Sequence, residues 1–246
     1  MDTPPRKVGI VAALRREVWP IIRHWSVEPR EYDGRSYRFF ANERAVLVCG
    51  GIGAESARRA TEALIQLYDP SAVFSAGFAG ALEPSLKAGT VVQIRRVIDA
   101  KDGSKADAPT GDYVLVSCDS VASVEQKRKL AQAYSAQLVD MEAAAVARAA
   151  LTHAIPSGAV KAVSDEFEFE LPPVHRFVTA EGRLRTVSFA VFALVRPWLW
   201  FRILRLARNS ARASAALCGW LDRYNHEAEK LDEGSMAACP TVRIDT

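Results

Sequence analysis

Short apolar runs alternate with stretches of helical spacing along most of the chain, and this alternation restricts the fold more than any other feature. Lys7–Leu14 and Ala72–Ala76, the latter bounded by Asp69-Pro70, are short and mostly apolar and read as buried strands, and Ala45–Cys49 and Gly158–Val163 also read as strands. Tyr37–Phe40, Thr90–Ile98, Tyr113–Ser117 and Gln137–Asp140 add further strands. Arg16–Trp25, Ala54–Tyr68, Val124–Tyr134 and Met141–Leu151 carry apolar residues at helical spacing. Pro20 is expected in the first turn of its helix, because a proline deeper in removes a backbone hydrogen bond. Lys101–Gly111 is polar and reads as a loop. The order implies one α/β domain with a central twisted mixed sheet flanked by helices.

Composition agrees. A chain of 246 residues, 49% hydrophobic and 25% charged, buries a large core without disulfides or structural metal. Its net charge of +3 is too balanced to make nucleic acid the main ligand. Cys49, Cys118, Cys218 and Cys239 are too far apart for a metal knuckle or a redox pair, so free thiols in a reducing compartment are expected. The segment MDTPPRKVGIVAAL reads as a first strand, not a signal peptide. No run of ~18 apolar residues spans a membrane. A cytoplasmic location is expected, with no metal and no cofactor.

The last third differs. Val187–Trp220 is helix-prone with a break at Pro197, and it sets Trp198, Trp200 and Phe201 beside Arg196, Arg202, Arg205, Arg208 and Arg212. Such a stretch either packs on the core with a solvated basic face or lies on a membrane surface, aromatic residues inward and arginines at the headgroups. The expected domain is 1–228, with a C-terminal helical segment over 187–224 and a flexible tail over 229–246.

Gly51-x-Gly53-x-x-Ser56 follows a strand and opens a helix, but not after the first strand, where a dinucleotide site would have it. It reads better as a turn that lets backbone approach a ligand closely. Three acids fall near strand ends: Glu17 after the first strand, Glu142 at a helix start and Asp165 after the last strand. Open α/β sheets place their ligands there. His24 and His153 lie on helices at apolar spacing, where packing or capping roles are expected.

Five segments together carry a resemblance: VGIVAALRREV (8–18), CGGIGAESA (49–57), SAGFAGALEPSLKAGTVV (75–92), VDMEAAAVA (139–147) and VKAVSD (160–165). In this order they resemble the nucleoside phosphorylase/nucleosidase superfamily, most of all its methylthioadenosine/S-adenosylhomocysteine nucleosidase branch. The resemblance implies that superfamily's three-layer fold, a purine nucleoside substrate of the 5′-modified adenosine type, and a homo-oligomer, dimer or higher. It implies that Glu17 activates the attacking water and that Met141 and Glu142 hold the sugar. It implies that Asp165, beside Ser164, protonates the purine N7 as the base leaves. For that role Asp165 needs its proton at neutral pH, which burial would favour.

Some positions depart from the branch. Phe78, next to Ala79 and Gly80, stands where Ser or Thr is common. Lys161 replaces an arginine, and with Phe78, Ala79, Gly80, Val121 and Ser164 it is expected among the substrate-binding residues. The aromatic residue that stacks on adenine falls near Val121 and Ala122. Phosphate-using relatives carry arginine where this chain has Ser75, which favours water over phosphate as nucleophile. The shortened segment between Asp99 and Met141 and the Arg-Pro-aromatic C-terminal stretch also resemble the hopanoid-biosynthesis phosphorylase-like branch. That branch implies removal of adenine from an adenosylated lipid and peripheral contact with a membrane. A nucleoside-binding relative without catalysis is the third reading.

Overall fold

A computed structural model of the chain describes residues 6–171 and 194–232, with single positions between them, and side chains as far as Tyr224. Its elements are β1 (Val8–Ala12), α1 (Arg15–Ile22), β2 (Ser26–Tyr32), β3 (Arg35–Ala41), β4 (Ala45–Cys49) and α2 (Ala54–Tyr68). They continue as β5 (Ala72–Ala81), β6 (Val91–Asp99), β7 (Lys105–Asp107), β8 (Tyr113–Ser117) and α3 (Val124–Tyr134). Then come β9 (Leu138–Asp140), α4 (Ala143–Thr152), β10 (Ser157–Asp165), a 3-10 turn (Pro197–Leu199) and α5 (Trp200–Asp232).

All ten strands form one mixed sheet, ordered β2-β3-β4-β1-β5-β9-β8-β6-β10, with β7 on the edge of β6. β10 also pairs with β5, so β5, β10, β6, β8 and β9 close into a ring. β1, β4, β5 and β10 run parallel. Alternate residues on a strand face opposite ways. Ile10 therefore packs under α1 and α5 with Val18, Leu47 and Leu217, while Val11 packs under α2 and α4 with Leu64, Val146 and Ala150. Ile94, Leu115, Leu138 and Val163 fill a third cluster on the ring strands. The result is the three-layer α/β arrangement expected of the sequence.

Several local expectations change. β5 does not stop at Ala76 but continues through Gly77 and Gly80 to Ala81. Pro20 lies beyond the first turn of α1. The carbonyl oxygen of Arg16, which Pro20 cannot satisfy, accepts from Ser214 Oγ of α5 at 3.1 Å. β2 is an added hairpin strand, mostly exposed and carrying Pro29 at the sheet edge, where proline is tolerated. β7 forms inside the expected loop. His24 is exposed rather than packed, and His153 caps the C-terminus of α4. Cys49, Cys118 and Cys218 are free thiols. α5 takes in the first residues of the expected tail; 233–246, with Cys239, lie outside the described residues, as does most of 172–193.

Candidate active site

A cavity of about 1300 Å³ opens between α1, α5 and the C-terminal ends of β5, β9 and β10. Glu17, Phe78, Ala79, Gly80, Val121, Met141, Glu142, Ser164 and Asp165 all line it, so the structure brings nearly every expected site residue to one place. Lys161 is the exception. It is buried beneath the wall, where its ammonium pairs with Asp140 at 2.8 Å and donates to Ser75 Oγ at 2.9 Å. That geometry removes Lys161 from direct substrate contact, contrary to expectation.

Two glycines of β5 admit two of the acids. A Cβ on Gly77 would stand 2.8 Å from Glu17 Oε2, and one on Gly80 would stand 2.8 Å from Asp165 Oδ2. Both glycines are therefore required by close approach, which explains glycines inside a buried strand. Three residues of extended chain separate them, roughly 10 Å. Glu17 and Asp165 thus mark two ends of the cavity floor.

At one end, Glu17 projects from α1 and is almost fully buried, and its Oε2 has no hydrogen-bond partner among the described residues. Burial pushes its carboxyl up to about 8; the nearby Glu142 adds to this and Lys161 opposes it. Glu142 is the N-cap of α4 and faces the cavity. Its Oε1 accepts from Gly53 N–H at 2.8 Å and its Oε2 from Met141 N–H at 3.2 Å. The Gly-rich turn thus serves to hold this carboxylate. Desolvation, then the Asp140 charge, pushes Glu142 up to about 7.

At the other end, Asp165 closes β10. Its Oδ1 accepts from Ser164 Oγ at 2.8 Å, and its Oδ2 contacts Lys127 Nζ at 2.5 Å. Lys127, from α3, is fully buried and also donates to the Glu166 carbonyl at 2.8 Å. Burial of Asp165 was expected; its ammonium partner was missed. The signal was there: Lys127 stands three residues after Val124 and four before Ala131, on the apolar stripe of α3, where a lysine is out of place.

In the cavity wall, Asp140 accepts from Ser117 Oγ at 2.5 Å and from Ala143 N–H at 3.0 Å, besides Lys161. These bonds tie β8, β9, β10 and the start of α4 together. They fix where Met141 and Glu142 enter the cavity.

The model of the phosphorylase superfamily matches residues 7–119 and 106–190. The chain belongs to the phosphorylase superfamily. A 5′-methylthioadenosine/S-adenosylhomocysteine nucleosidase of Staphylococcus aureus (strain JH9) is 27% identical, over 64% of this chain and 86% of its own. The solved nucleosidase of the same name from Helicobacter pylori superposes with a TM-score of 0.65 at 17% identity, covering 90% of this chain and 100% of its own. Futalosine hydrolase of the same organism gives 0.63 at 19% identity, covering 89% and 98%. Membership and these relatives make the chain an N-glycosidic-bond-cleaving enzyme, a nucleosidase or a nucleoside phosphorylase, as the resemblance implied.

Proposed function

We propose that the chain hydrolyses the N-glycosidic bond of a 5′-modified adenosine, of the methylthioadenosine or S-adenosylhomocysteine type, and releases adenine. One observation carries this reading: a carboxyl with a buried ammonium at one end of the cavity floor, and at the other a buried carboxyl whose Oε2 has no hydrogen-bond partner among the described residues. Cleavage needs both. The bond from the sugar to N9 breaks, its electron pair leaves with the base, and the sugar becomes cationic. Asp165 relays a proton from the Lys127 ammonium to N7 of the departing purine, and water reprotonates the Lys127 amine after the base leaves. Glu142 accepts hydrogen bonds from the ribose hydroxyls and steadies the sugar cation. Glu17, once ionised, takes the proton of the water that adds to C1′. Met141 and Phe78 pack against the sugar, and Val121 beside the base.

Water fits better than phosphate. Ser75, where phosphate-using relatives have arginine, is buried and engaged by Lys161. A bound phosphate would need cations or backbone amides directed at it.

The size of the cavity favours a second substrate. Nucleoside-sized ligands fill pockets of ~300–1,000 Å³, and this one is larger. Its outer wall on α5, with Ile203, Leu206, Ala207 and Ala211, is apolar. A long apolar 5′ group would lie there, as in an adenosylated lipid of hopanoid biosynthesis.

The test is adenine release from methylthioadenosine, S-adenosylhomocysteine, adenosine and a 5′-alkyl adenosine, each with and without phosphate. Phosphate-independent release supports hydrolysis, and strict dependence on phosphate overturns it. Release from the alkyl substrate alone selects the second reading.

A further inference from the structure

Between Gly182 and Leu221 the chain holds seven arginines (183, 185, 196, 202, 205, 208 and 212) and no lysine, aspartate or glutamate. The whole chain has a net charge of only +3. This stretch is therefore strongly cationic, and the rest of the chain is net acidic.

The described part of this stretch exposes several large apolar side chains. Leu194 is 70% exposed, Trp198 71%, Phe201 75% and Leu204 64%. Single exposed apolar residues are ordinary, but a contiguous group marks a contact surface. Phe201, Leu204 and Arg208 stand three and four residues apart on α5 and share a face. Arg205, which pairs with Glu166, flanks them. The neighbouring flank of the same helix, with Ile203 and Leu206, lines the cavity. Across the mouth, α1 adds Trp19, 43% exposed, with the Arg15 guanidinium 4.2 Å above its ring. One edge of the molecule thus combines the cavity mouth, exposed tryptophans and arginines.

We propose that this edge docks on an anionic lipid membrane, with the cavity mouth turned toward the bilayer. Tryptophan and phenylalanine enter the boundary between headgroups and acyl chains, while arginines meet lipid phosphates. No helix among the described residues is long and apolar enough to cross a membrane, so the contact is peripheral. A second copy of the chain fits this edge poorly. A two-fold interface would set arginines against arginines, and the acid beside them, Glu166, is already paired with Arg205. The proposal does not depend on which bond the cavity cleaves.

The test is flotation of the full chain with vesicles of phosphatidylcholine alone and of phosphatidylcholine mixed with phosphatidylglycerol. The proposal expects binding to the mixed vesicles, weakened by salt, and little binding to phosphatidylcholine alone. Phe201→Ser with Leu204→Ser, and separately Arg202→Glu with Arg208→Glu, should each lower partitioning roughly tenfold or more. Both pairs lie outside the cavity lining, so the circular dichroism spectrum and melting temperature should stay at their wild-type values and serve as the folding control. Should either pair misfold, quenching of tryptophan fluorescence in the unaltered chain by brominated lipid reports the same contact. Absence of binding and quenching, equal binding to both vesicle types, or conversion of a dimer to a monomer by the apolar pair would each overturn the proposal.

Discussion

Lys127 Nζ and Asp165 Oδ2 are 2.5 Å apart, and both side chains are almost wholly buried. The ammonium has two acceptors, the Asp165 carboxylate and the Glu166 carbonyl, so it ties α3 to the end of β10. A buried pair of this kind is costly to break, about 3–5 kcal/mol when one partner is removed. Lys127→Met should lower the melting temperature and reduce kcat roughly a hundredfold, while Lys127→Arg retains part of both. A purely structural lysine would reduce turnover of every substrate alike. If it resupplies the proton, the loss is large for adenosines and small for a 4-nitrophenyl riboside, whose leaving group departs without protonation. Parallel kinetics on the two substrates decide this.

Gly77 and Gly80 should resist even alanine. Each added Cβ would stand 2.8 Å from a carboxylate oxygen of Glu17 or Asp165. In Gly80→Ala the acid must move, and kcat should fall by roughly a hundredfold or more, since a small misplacement of a reacting group is costly. Gly77→Ala should act in the same direction through Glu17. Steady-state kinetics with circular dichroism check that folding survives.

The two raised acids set the pH dependence. Burial pushes Glu17 up to about 8 and Glu142 up to about 7, and both work ionised. Hence kcat/KM should rise with pH across this range, and Glu17→Gln should abolish activity. For stability the sign is opposite. Both groups bind protons more tightly in the folded than in the unfolded chain, so stability falls as pH rises from about 4.5 to about 8. Glu17→Gln removes its share of that loss. Its melting temperature, relative to wild type, should be higher at pH 9 than at pH 6.

Lys161 should prove structural. Its loss leaves Asp140 buried without its cation. Lys161→Met should destabilise the fold by about 3–5 kcal/mol. The protein that remains folded should keep a near-normal KM, which a substrate-binding lysine would not allow. Denaturant unfolding and a KM measurement settle the point.

Elements with a clear apolar period were legible in the sequence: α3 spans Val124–Tyr134 as its spacing requires, and β4 and β8 likewise. β2 was not, because Ser26–Tyr32 is an exposed edge strand with no apolar alternation. The extension of β5 was hidden by glycines that normally interrupt strands; only the carboxylates packed on them explain their presence. The acids could be read from position and motif. Their partners could not, because Lys127 and Asp165 are 38 residues apart and meet only through the closed ring of strands. Lys161 misled for the same reason, since its carboxylate partner lies on another strand.

The central claim is that Asp165 delivers a proton to a departing purine. The most direct test is adenine release from methylthioadenosine, without phosphate, by the unaltered chain and by Asp165→Asn, followed by chromatography. The account predicts release by the former and a loss of at least about a hundredfold in the variant, with nucleoside still bound. Equal rates in the two proteins would contradict it.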